Sequence, residues 1–197
     1  MKEIDYLKQV SHDYQMVFDV RMHAYQELLN TGRSGLTLKI DSDTGLGQYA
    51  LEGFADIVTT GEISVGQVTQ TTRIPVALHI SPGQQMTDTD WVRFHSVLLP
   101  NIRTGKTKVD AEILKYVLML NMQVHGGTFS MVSERSELLW TTGFNFRDCS
   151  LPRMRQEIQH HGEIKGAFVP HIEMSIIAFE GGMLAEELFK LVMDAHQ

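Results

Sequence analysis

Nine histidines in a chain of 197 residues are the first place to look for chemistry. His160-His161 with Glu163, and His171 with Glu173, bring together the imidazole and carboxylate groups that zinc takes as ligands. Adjacent helical residues, however, point about 100° apart, so His160 and His161 cannot face one ion on a regular helix. No HExxH pattern occurs, and His12 and His23 stand three helical turns apart. A solvated helix end fits these residues better than a metal centre. Asp41, Asp43 and Glu52 sit at the first, third and twelfth places of a calcium loop. Gly45 and Leu46 then fall where that loop needs a ligand and its glycine, which predicts a polar turn instead. Cys149 lies just before an expected helix start, a place that can activate a thiol. Nothing around it matches a GxSxG or papain-type segment. It reads as a small residue at a strand–helix junction. Neither GxGxxG nor GxxxxGK[ST] is present to cradle a phosphate. The residues thus predict no enzyme, no metal and no cofactor. The alternative is a small-ligand binder or enzyme whose polar groups converge only on folding, around His79, His95, His125 and the Arg147–Arg155 group.

The elements that would position these side chains can be read from periodicity. Apolar residues recur at helical spacing from Leu7 to Leu28, and Thr31-Gly32 ends that helix. Leu36, Leu38 and Ile40 alternate with polar residues, as a half-buried strand does. Strands are expected at Gln48–Val58, Ile63–Thr71, Ile74–Ser81 and Trp91–Leu99. A second helix spans about Val109–Met122, and strands at Thr128–Ser133 and Leu138–Asn145 form a hairpin. Ser150 caps a third helix with Pro152 just inside it. Gly162, Gly166 and Pro170 leave open whether residues 163–179 are helix. A last amphipathic helix occupies about 183–195. In the strand after Glu137, Trp140, Thr142, Phe144 and Phe146 share one face, which packs under helices or meets a partner. The fold class is therefore α+β, a mainly antiparallel sheet with packed helices, in a single domain over 1–197.

Composition narrows the function. The chain carries a formal net charge of −7, the wrong sign for a dedicated nucleic-acid binder. Arg147, Arg153 and Arg155, or Arg103, Lys106 and Lys108, could still meet an anion or an acidic partner. One cysteine excludes an internal disulfide. No apolar run approaches the ~18 residues a membrane span needs, and the first residues lack the apolar core of a signal peptide. A cytoplasmic protein is expected. The 11 methionines fill irregular cores or adaptable binding surfaces; Met119, Met122, Met131, Met154 and Met174 fall in or beside the second half.

That second half echoes the first. Tyr25, Leu29, Asn30 and Gly35 recur at one constant offset as Tyr116, Leu120, Asn121 and Gly126. Leu38 and Ile40 then correspond to Phe129 and Met131, and QYALEGF to LLWTTGF. On the helix ending LMLNMQVHGGTFSMV, the strand ELLWTTGFNF and the helix opened by Ser150-Leu151, the stretch from Asp110 to about Ala178 resembles the type III secretion chaperone-like superfamily. That superfamily includes the YbjN sensory-transduction-regulator branch. The resemblance implies the order helix, three strands, helix, two strands, helix, and a bacterial, homodimeric, chaperone-like or regulatory module that binds protein. Extra strand-like sequence at about 63–99 and the helix at 183–195 depart from that order. Trp140, Phe144, Phe146 and Met131 are the expected partner-binding residues.

Overall fold

The structure is a computed structural model and describes residues 3–30, 34–63, 66–83, 91–132 and 134–194. The helix stop at Thr31-Gly32, the side chain of His12, and Ser133 lie outside the described residues. In chain order the elements are α1 (Glu3–Leu29), β1 (Thr37–Ile40), β2 (Tyr49–Ile63), β3 (Gly66–Pro82), β4 (Trp91–Leu99), α2 (Thr107–Asn121), β5 (Thr128–Val132), β6 (Glu137–Asn145), α3 (Leu151–Glu180) and α4 (Ala185–Asp194). The class is α+β: a six-stranded antiparallel sheet in the order β1-β2-β3-β4-β6-β5, with helices packed against it. No described helix is long and apolar enough to cross a membrane.

The chain forms two compact units, Met1–His95 with Gly143–Gly162, and Ser96–Thr142 with Glu163–Gln197. Each has its own core. In the first, Phe18 and Met22 of α1 and Met154 and Ile158 of α3 meet Leu38, Leu51, Leu78, Ile80 and Phe94 of the strands. Every one of these is essentially removed from water, and each such side chain contributes about 1.5–3 kcal/mol. In the second, Ile113, Tyr116 and Val117 of α2 and Ile172 and Phe179 of α3 close over Phe129 and Trp140.

The echo is visible as geometry. Each unit has a helix with an asparagine at its end that ties down the first strand of an antiparallel hairpin. In the first, Asn30 Nδ2 donates to the Leu38 carbonyl at 3.4 Å. In the second, Asn121 donates to the Phe129 carbonyl at 2.8 Å and accepts from its amide at 2.7 Å. Gly35 and Gly126 take φ values of +69° and +85° between helix and strand, a region only glycine enters at no cost. The registers match as well: Leu38 faces Leu51, and Phe129 faces Trp140.

Two expectations change. Ile63, foreseen as the start of a strand to Thr71, ends β2, and the rest of that strand from Gly66 is continuous with the one foreseen at Ile74–Ser81 as β3, which runs through Pro75. Pro75 lies opposite Phe54. That pair turns its backbone polar groups away from the other strand, so the missing N–H faces away from β2 and breaks none of the bonds between β2 and β3. Residues 163–179 are helical: α3 is continuous and carries Pro170 within it. Gly162 lets α3 approach the sheet, for a Cβ there would stand 2.2 Å from that of Ala55.

Candidate functional site

β2 and β3 pair along their whole length, from Tyr49–Ile80 to Ile63–Gly66. β1 pairs with β2 from Tyr49 to Glu52, and β4 pairs with β3 from His79 to Pro82. Beyond Glu52, β2 has an open edge on the side away from β3 among the described strands. Such edges template the pairing of another chain unless something blocks them. Pro75 interrupts the donors on the β3 side. The β2 side is held differently. Gln159 of α3 presents its side-chain amide to Asp56: Oε1 accepts from the Asp56 N–H at 3.1 Å, and Nε2 donates to the Asp56 carbonyl at 2.8 Å. The amide thus makes the pair of bonds that one residue of a neighbouring strand would make. With a backbone period of two, the N–H and C=O of Phe54, Val58 and Thr60 point the same way as those of Asp56.

A groove of about 360 Å³ runs along this edge. Leu36 and Ile158, both buried, form its floor. α3 supplies Arg155 and Gln159 on one side, while Phe54 and Arg73 stand on the other face of the hairpin. Arg73 lies over the Phe54 ring with its guanidinium carbon 4.7 Å from the centroid, which carries it across β2 toward the open edge. Among the described residues its carboxylate neighbour is Asp56, at 4.0 Å, too far for a hydrogen bond. Arg155 spends one donor on the Ser34 carbonyl at 3.0 Å. Two guanidinium groups with donors to spare therefore flank an apolar-floored slot beside unpaired backbone.

The histidines are placed elsewhere. His79 Nδ1 lies 2.6 Å from Asp41 Oδ2, and Thr44 Oγ1 donates to the same carboxylate at 2.5 Å. Burial opposes ionisation of Asp41, but the bonds from Thr44 and His79 outweigh it and lower its pKa. His95 sits opposite His79 on β4, and its Nε2 is 3.2 Å from Ser81 Oγ. Burial, then the charges of Arg93 and His79, bring its pKa down to about 4. His125 is exposed and belongs to the other unit. On α3, His161 is fully buried, with Nε2 3.7 Å from Glu157, whose other oxygen takes Arg153 at 2.7 Å. Burial drives His161 to about 3, helped by His160, so it is a neutral core histidine, not a solvated terminal one. In the second unit, His171 Nε2 lies 2.5 Å from the Tyr116 hydroxyl. Among the described residues no three His, Cys, Asp or Glu side chains converge as a metal site. Asp41 is engaged by Thr44 and His79, and Glu52 by Lys39 at 2.6 Å. Burial pushes the Cys149 thiol up to about 12, which leaves it protonated and unreactive at neutral pH.

The expected partner-binding aromatics are interior. Trp140 is enclosed in the second core, and Phe144 and Phe146 in the first. Phe144 stacks on Phe94 at 5.2 Å, and Phe146 meets Phe18 at 5.3 Å. Met131 is half-buried on the edge strand β5. Of the two roles open to that stripe, packing under helices is the one the burial supports. Of the arginine cluster, Arg153 is turned to Glu157 and the Phe144 ring, Arg147 is exposed, and Arg155 alone reaches the groove. Phe54, Arg73 and Gln159 carried no sequence signal beyond exposed polarity and an aromatic in a strand. No family model matches this sequence, and no curated protein matches it.

Proposed function

We propose that this chain is a non-catalytic, cytoplasmic protein-binding module that takes an extended segment of its partner as an added strand on β2. One observation carries the reading: the place of the next strand, just past the end of β1, is held by the Gln159 amide rather than by backbone. A side chain can swing aside, and an incoming strand then gains ladder bonds from affinity-giving main chain and pockets for alternate side chains. The element order supports kinship with the secretion-chaperone-like superfamily, with one strand more before α2 and one helix more after α3. The homodimer belongs to the same proposal, and Met16, Val17, Val20 and Leu28 give α1 an exposed apolar stripe suited to it. Light scattering that reports a monomer at all concentrations would remove the dimer from the account.

The test of strand addition is a random octapeptide display library selected against the full chain, beside Val58→Pro. Proline at 58 removes an outward N–H and mirrors what Pro75 does on β3, so the hairpin should fold. Peptides recovered by the parent and lost by Val58→Pro support the reading. Recovery of no peptide, or of the same peptides by both proteins, contradicts it.

A further inference from the structure

We infer that the β2 groove selects an acidic segment, whose carboxylates are taken by Arg73 and Arg155. This rests on the strand-addition reading and names the chemistry of what is added. A strand laid against β2 points successive side chains to opposite faces. One face looks toward α3, where Arg155 stands above the apolar floor of Leu36 and Ile158. The other looks toward Phe54 and the Arg73 guanidinium stacked on it. Neighbouring residues of the added strand thus each meet one guanidinium, and a planar fork of donors is matched best by a carboxylate.

The rest of the chain sharpens this. With a net charge of −7, the protein repels an acidic partner at long range, so recognition must come from a local basic pair. Among the described residues Asp56 is the acidic side chain beside Arg73, and at 4.0 Å it leaves the guanidinium donors unspent. Two other arginines of this unit are turned inward: Arg21 bonds the Phe146 carbonyl at 3.0 Å, and Arg153 bonds Glu157. Arg73 and Arg155 are both largely in water, so each contact is worth a few-fold in affinity and is weakened by salt.

The same octapeptide selection tests this when the Val58-dependent peptides are sequenced. Asp and Glu should be enriched about threefold or more over the input library, at adjacent positions. Resynthesised with Gln and Asn in those places, a selected peptide should bind about tenfold more weakly. Arg73→Glu/Arg155→Glu should recover Lys- and Arg-bearing peptides instead, and the milder Arg73→Gln/Arg155→Gln should lose the preference without acquiring the reverse one. Val58-dependent peptides that show no acidic enrichment, or the same enrichment with either double variant, overturn the charge selection and leave strand addition standing. Absence of any Val58-dependent peptide overturns strand addition, and the charge selection with it.

Discussion

Gln159 and Asp56 are joined as two strands would be, by a donor and an acceptor on each side, although one of them is a helix side chain. Gln159→Ala deletes both bonds at an exposed site, and should cost about 0.5–1.5 kcal/mol. Gln159→Glu should cost at least as much, since a carboxylate can accept from the Asp56 amide but faces its carbonyl with no donor. Urea unfolding of the three proteins checks the order. An alanine variant as stable as the parent would show that the pairing is incidental.

Gly162 tests how closely α3 must approach the hairpin. Alanine there should destabilise by about 1–3 kcal/mol through overpacking against Ala55, even though alanine favours helix by roughly 1 kcal/mol over glycine. Combining Gly162→Ala with Ala55→Gly should recover much of the loss. If the double variant is as unstable as the sum of its parts, the contact is not the cause.

Two neutral histidines set an acid limit on the first unit. His95 and His161 have folded pKa values of about 4 and about 3 against 6.5 for the free side chain. The unfolded chain therefore binds more protons between those values, and stability rises with pH across that window. It should be complete above about pH 6.5 and fall steeply by several kcal/mol toward pH 4. Asp41, whose pKa is lowered, adds its own loss only at still lower pH. His161→Gln should flatten the slope of unfolding free energy between pH 6.5 and 4, as chemical denaturation at several pH values can show. An unchanged slope would mean that His161 is accessible to protons in the folded chain.

The two helix-end asparagines are predicted to be unequal. Asn121 makes two short bonds to Phe129 and Asn30 one long bond to Leu38. Asn121→Ala should cost about 1–2 kcal/mol and Asn30→Ala less than half of that. Equal losses on thermal unfolding would remove the distinction.

Much of the fold could be read from the sequence because it is written in local periods. Leu38 and Leu51 follow strand alternation, Ile113, Tyr116, Val117 and Leu120 follow a helical stripe, and both are buried as their spacing requires. β3 is harder to read, because Pro75 breaks a strand unless its missing N–H faces away from the partner strand, and that depends on the register with β2. Residues 163–179 were ambiguous for a similar reason. Gly162 weakens a helix locally, and only the approach of Ala55 explains it. The site was nearly illegible. Arg155 stood out as one of a basic cluster, but Gln159, Arg73 and Phe54 come from three elements with nothing in their spacing to connect them. Trp140, Phe144 and Phe146 are large and aligned, a pattern that a core and a binding face share.

Residue-resolved amide hydrogen exchange along β2, with and without a saturating selected peptide, tests the central claim most directly. In the free chain, the amides of Ala55, Ile57 and Thr59 should be protected by β3 and that of Asp56 by Gln159, while Phe54, Val58 and Thr60 exchange quickly. With peptide bound, Phe54, Val58 and Thr60 should slow by tenfold or more and complete the ladder. Binding that leaves those three amides exchanging as fast as before would contradict strand addition on β2.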